Sequence, residues 1–161
     1  LRSRTSEARR FAKGVFVALA SIILCSVVIV NVWLKTFSGR PRPVATDLFG
    51  GDLPFVPAGE FTSHCASNCS FVSGEASISF WLVCLTALAP RRWRPAVLAV
   101  TLSIAILASG LRVAFGAHYL SDVTVAGLLA LATFSVLATA AARSGLLAPS
   151  RHGEAGASTP R

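Results

Sequence analysis

The sequence predicts an all-α integral membrane protein, a helical bundle of about four spans. Three observations carry that expectation. Apolar residues make up 53% of the 161 and charged residues only 14%, where a soluble domain carries about 25% charged residues. The apolar residues fall in long unbroken runs, and the mean hydropathy is +0.65. The basic residues behind the net charge of +8 gather in short clusters between those runs. Aromatic residues are not interleaved with them, so the pattern fits membrane topology and anionic lipid and not a nucleic-acid groove.

Residues 1–13 form a basic segment, with Arg2, Arg4, Arg9, Arg10 and Lys13 against Glu7. The chain starts on Leu and contains no Met, which reads as a fragment or an unusual initiation, and no secretory cleavage site is evident. Residues 14–34 carry no charge and provide the roughly 20 residues that one helical span needs. Trp33 and Lys35 at the far end read as interfacial anchors. Residues 36–71 are rich in Gly, Pro and Ser, and a connection this long favours a functional loop.

A second apolar run, residues 76–89, is short for a span unless residues 73–75 form its first turn. Pro90-Arg-Arg-Trp-Arg-Pro95 is a tight basic turn, and a third run, 96–111, ends on Arg112. Ser121 or Asp122 is placed to cap a fourth, 123–142. Residues 143–161 read as a mobile tail, which leaves residues 14–142 as the membrane domain. Cys25 and Cys84 lie in apolar runs and read as buried thiols, while Cys65 and Cys69 share the loop, where an oxidising compartment would allow a disulfide. No second ligand pair accompanies them, and neither metal nor cofactor is expected.

Alternation of four spans puts the N-terminal basic block, the Arg91–Arg94 turn and Arg143 on one side. The positive-inside rule makes that side cytoplasmic. The long loop and the stretch from Arg112 to Asp122 then share the opposite face. His118 and Asp122 stand four residues apart, one face of a helix, so the carboxylate is placed to hold one ring nitrogen and leave the other free. The loop opens with the cations of Lys35-Thr-Phe-Ser-Gly-Arg-Pro-Arg42-Pro43, which suit a compact anion. Ser73-Gly74 at a helix start adds N–H groups at the positive dipole end, though an ordinary N-cap reads as well there. Together these groups fit phosphoryl transfer.

Lys35-x6-Arg42-Pro43, Ser73-Gly74 and Arg112-x5-His118-x3-Asp122 resemble, in order and spacing, the three-part signature of the type 2 phosphatidic acid phosphatases. These are the membrane branch of a superfamily that includes vanadium haloperoxidases. The resemblance implies that His118 is a nucleophile forming a phosphohistidine and that Asp122 orients it. It implies that Lys35, Arg42, Ser73, Gly74 and Arg112 hold the phosphate. The middle part usually ends Ser-Gly-His, with that His as general acid, and here Glu75 takes the position. Leu111 stands where Ser usually precedes Arg112, and the family usually has six spans. His64 in the loop is an alternative acid.

The expected activity is that of a bacterial inner-membrane phosphatase acting on a lipid phosphate or diphosphate at the periplasmic face. The Ser-Phe-Val-Ser-Gly-Glu stretch looks similar to the lipid A phosphatase-like branch. A catalytically impaired protein that binds anionic headgroups, or a lipid phosphotransferase, stand as alternatives. Sequence leaves the oligomeric state open.

Overall fold

The computed structural model describes residues 2–147. Four antiparallel helices form the molecule, as the alternation of apolar runs and polar turns requires. The first, α1 (Arg2–Ile22), continues through a π-helical stretch (Ile23–Leu34) into a last α-turn (Lys35–Phe37). Within the π stretch Asn31 Nδ2 donates to the Ser26 carbonyl five residues back, at 2.6 Å. Helix α2 (Gly74–Cys84) starts on a Ser73 N-cap and ends in a 3-10 turn (Leu85–Ala87). Helix α3 (Arg94–Ala114) follows the basic turn, and α4 (Leu120–Arg143) closes the bundle.

Among the described residues three helices are long and apolar enough to cross a membrane: Glu7–Phe37, Arg91–Ala114 and Leu120–Arg143. The remaining run of the expected four is the apolar helix α2. Residues 73–75 do start α2, but the run Gly74–Ala87 is shorter, roughly 20 Å against a hydrocarbon core of about 30 Å. The 3-10 turn and then Pro90 end it early. It nonetheless reaches from Asn31, which faces Gly74, to Gly14, which faces Leu88. Of the expected tail, residues 148–161 lie outside the described region, while 144–147 continue past α4 in a turn.

Small residues set the packing. The core is Cys25, Val30, Val72, Ala76, Val123, Ala126 and Ala130, and a Cβ on Gly127 would lie 2.8 Å from the Phe80 ring. Apolar packing in lipid draws on such close approach because the bilayer offers no hydrophobic drive between helices. Ile106, Leu107, Leu128 and Val136 remain exposed, as lipid-facing side chains should be.

The long loop is ordered against the end of the bundle that carries His118. Ser38, Gly39 and Arg40 accept backbone bonds from Thr62, Cys65 and Ser70 at 2.8–3.0 Å, so the two ends of the loop run side by side. Gly39 has φ +57°, and a Cβ there would fall 1.7 Å from the Thr62 carbonyl oxygen. No other residue type fits. Val44 N–H bonds the Gly116 carbonyl at 3.1 Å, docking the loop on the α3–α4 connection. A disulfide joins Cys65 and Cys69, and Cys25 and Cys84 are buried free thiols.

Candidate active site

Three segments converge at this end of the bundle: the loop, the start of α2 and the α3–α4 connection. His118 lies at the centre, fully buried at 0% exposure. Its Nδ1 is 2.8 Å from the Ser70 carbonyl oxygen. A carbonyl only accepts, so Nδ1 carries a hydrogen, and in the neutral ring Nε2 keeps its lone pair. Nε2 is buried and has no hydrogen-bond partner among the described residues. The ring is therefore locked at Nδ1 and free of hydrogen bonds at Nε2, and its neutral form has the lone pair an attacking imidazole needs.

Asp122 was expected to hold the imidazole directly. Its Oδ2 is 3.8 Å from Nδ1, too far for a hydrogen bond. The carboxylate is instead consumed by three donors: Arg40 Nη1, the Ser70 hydroxyl and the Tyr119 backbone N–H. Ser70 is the link, since its hydroxyl bonds Asp122 while its carbonyl bonds His118. Asp122 thus acts one residue removed, through the placement of Ser70. It also sits at the third position of a capping box whose N-cap is Tyr119, which settles the expected cap on neither Ser121 nor Asp122 itself.

Arg40 is the residue the spacing argument passed over. It is 2% exposed, pairs with Asp122, donates through Nε to the Val56 carbonyl at 2.8 Å, and stacks over the Tyr119 ring at 4.0 Å. A buried guanidinium of this kind is held only by a full set of partners. The signal was present in the doubled Arg-Pro of Arg40-Pro-Arg42-Pro43, but the six-residue interval from Lys35 selects Arg42. Ser70 carried no signal, because its contribution to His118 is a main-chain atom.

Glu75 and Arg112 form the open side. Arg112 Nη2 is 3.1 Å from Glu75 Oε1, and Glu75 Oε2 is 3.7 Å from His118 Nε2. The Arg112 Nε is buried without a partner. Partial burial acts to raise the Glu75 carboxyl. Its own backbone N–H and the charges of Arg112, Lys35 and His118 outweigh that and hold it below its ordinary 4.5. Glu75 is therefore a carboxylate resting against the cations.

The remaining expected residues divide. Lys35 lies close enough for its charge to act on Glu75. Ser73 caps α2, accepting from Ala76 N–H, and its own N–H reaches the Asp122 carbonyl at 3.4 Å. Gly74 is buried against Asn31, where a Cβ would be 3.2 Å from the Asn31 Oδ1. Arg42 lies close enough for its charge to act on Lys35. It donates to the Asn68 backbone carbonyl at 3.0 Å and to Asn68 Oδ1 at 2.6 Å, and it makes no salt bridge among the described residues. His64 is on the exposed part of the loop, and its backbone N–H donates to the Thr62 hydroxyl. No group of three or more potential metal ligands occurs among the described residues.

A family model described as the PAP2 superfamily matches residues 14–145. The chain is 48% identical over 126 residues to a lipid A 4'-phosphatase of Rhizobium etli, covering 78% of this chain and 49% of that protein. It is 48% identical over 126 residues to the protein of that name from Rhizobium leguminosarum, 78% of this chain and 54% of the relative. The Francisella tularensis subsp. novicida protein of the same name is 35% identical over 120 residues, 74% of this chain and 54% of its own. The chain therefore spans about half the length of the curated relatives it matches. No solved structure matches it.

Proposed function

The chain belongs to the PAP2 superfamily, and from that premise we propose that it is a membrane phosphatase acting on a lipid phosphate, with His118 Nε2 as the nucleophile. The observation that carries this reading is the asymmetry of His118, locked at Nδ1 and without a hydrogen bond at Nε2, which faces the Glu75 carboxylate that Arg112 holds. The relatives' names supply the substrate class, the 4'-phosphate of lipid A. The site would face the periplasm in a bacterial inner membrane, since the basic turns lie at the other end of the bundle.

In the proposed sequence Glu75 acts first as a stand-in anion. Substrate phosphate takes its place against Arg112, with Lys35, Arg42 and the start of α2 at Ser73-Gly74 gathering the other oxygens. A phosphate dianion beside Glu75 raises the carboxyl pKa by like-charge repulsion, so Glu75 takes up a proton as substrate binds. Nε2 attacks phosphorus, the P–O bond to the sugar breaks, and Glu75 gives its proton to the departing oxygen. Water then attacks the phosphohistidine, Glu75 receives the proton, and inorganic phosphate leaves.

The experiment is phosphate release from a panel of lipid phosphates by the purified protein in detergent, with acid-labile phosphoprotein trapped from wild type and from His118→Ala. Release from 4'-phosphorylated lipid A with trapping in wild type alone is the expected result. Glu75 in place of the usual His favours a second reading, a headgroup binder without turnover. Saturable binding with no release from any substrate would establish that one and sink the phosphatase.

A further inference from the structure

The end of the bundle opposite His118 carries a cavity of its own, of about 770 Å3. It lies between the start of α1, the turn that opens α3 and the end of α4, and its wall includes Arg10, Phe11, Arg91, Arg94 and Phe134. Gly14 lets α1 close on Leu88, where a Cβ would lie 2.7 Å from Cδ2. The lining therefore divides into an apolar part, its floor, at Val17, Leu88 and Phe134, and a basic part, its rim, at Arg10, Arg91 and Arg94.

The rim is built, not merely charged. Arg94 is fastened by Nε to the Ala89 carbonyl at 3.2 Å and by Nη2 to the Ala87 carbonyl at 3.3 Å. Those bonds fix its guanidinium in the cavity wall. Arg10 and Arg91 make no ion pair among the described residues, although Glu7 shares the rim. Three cations against one acid leave an uncompensated positive site at the ends of apolar helices, beside the exposed Trp93. Basic recesses between membrane helices at the headgroup level select anionic lipid heads, because the charge is met there and the chains stay in hydrocarbon.

We propose that this cavity is a binding site for an anionic phospholipid, distinct from the site around His118. The lipid phosphate lies on Arg10, Arg91 and Arg94, and one acyl chain follows the apolar floor past Phe134. Charge complementarity selects the anion, and the floor selects a lipid over free phosphate. The proposal is independent of the phosphatase reading, since no residue of the His118 site takes part.

Native mass spectrometry of the detergent-purified protein tests it, with phosphatidylglycerol, phosphatidylcholine and inorganic phosphate as probes. Phosphatidylglycerol should be retained at least ~10-fold better than phosphatidylcholine, the scale that a few interfacial arginines supply. The Arg10→Gln/Arg91→Gln variant should lose that preference. Arg9→Gln/Arg92→Gln removes the same charge from positions outside the cavity and should keep it, with thermal unfolding of both variants matching wild type. Equal retention of the two lipids in wild type would overturn the proposal. So would equal loss in both double variants, which would mean a diffuse basic collar, or displacement of phosphatidylglycerol by inorganic phosphate, which would mean an anion site that reads no lipid.

Discussion

Arg40 and Arg42, two residues apart, should fail in opposite ways when substituted. Arg40→Ala leaves the buried Asp122 carboxylate without its cation, and breaking such a pair costs about 3–5 kcal/mol. Thermal unfolding should drop accordingly. Arg42→Ala removes a partly buried guanidinium held by Asn68. Its unfolding temperature should stay put while turnover falls by roughly 100-fold, the size of losing one preorganised charge-stabilising donor. Lysine at 42 should rescue poorly because the planar fork is gone. Glu75 gives a pH test. Its carboxyl is held below its ordinary 4.5 by Arg112 and Lys35 against a partial burial that raises it. A depressed folded-state pKa stabilises the fold above the ordinary value, and that contribution fades as pH falls through the depressed one. The unfolding difference between wild type and Glu75→Gln should therefore be flat above about pH 5 and vanish in stronger acid, damped because the pair is half exposed. A difference that grows toward low pH would overturn the ion-pair assignment. Most of the site residues were legible as letters, but partnership was not. Spacing could put Asp122 and His118 on one face; it could not foresee that three other donors would saturate the carboxylate.

At the level of elements, the informative piece is the loop between α1 and α2. The Cys65–Cys69 disulfide encloses Asn68, which holds Arg42, and adjoins Ser70, which holds His118. One small ring thus sets two parts of the site. Cys65→Ser/Cys69→Ser should leave the helical bundle's unfolding largely unchanged. Turnover should fall roughly 10- to 100-fold, as ångström-scale misplacement of catalytic groups does. Parallel measurement of circular dichroism and phosphate release checks this, and unchanged release would free the loop of any positioning role. The loop's length announced that it mattered, yet its fold was illegible in the sequence. Its backbone is satisfied by Ser38, Gly39 and Arg40 at the far end of the same segment, and pairings of that kind leave no periodicity. Helix α2 shows the converse. Its apolar run was plain, but Ser77 bonding Ser26 and the early 3-10 turn make it a short, inward-facing strut.

For the whole molecule the two ends of the bundle are chemically opposed, one basic and one built around His118. A membrane-impermeant maleimide applied after reduction to spheroplasts should label Cys65, which is partly exposed, and spare Cys25 and Cys84, which are buried like Cys69. Protection of Cys65 until lysis would invert the orientation. The alternation of apolar runs makes the opposition of the two ends legible in the sequence, because each run must end where water begins. Finally, the nitrogen that fixes the His118 tautomer is answered by the peptide oxygen of Ser70. A peptide oxygen is common to every amino acid. Replacing Ser70 with Ala deletes only the hydroxyl bond to Asp122 and leaves the carbonyl in place. A saturation scan would register the lost hydroxyl and the fully buried position's intolerance of bulk, while the peptide oxygen that selects the reactive face of the imidazole would go unseen by genetics.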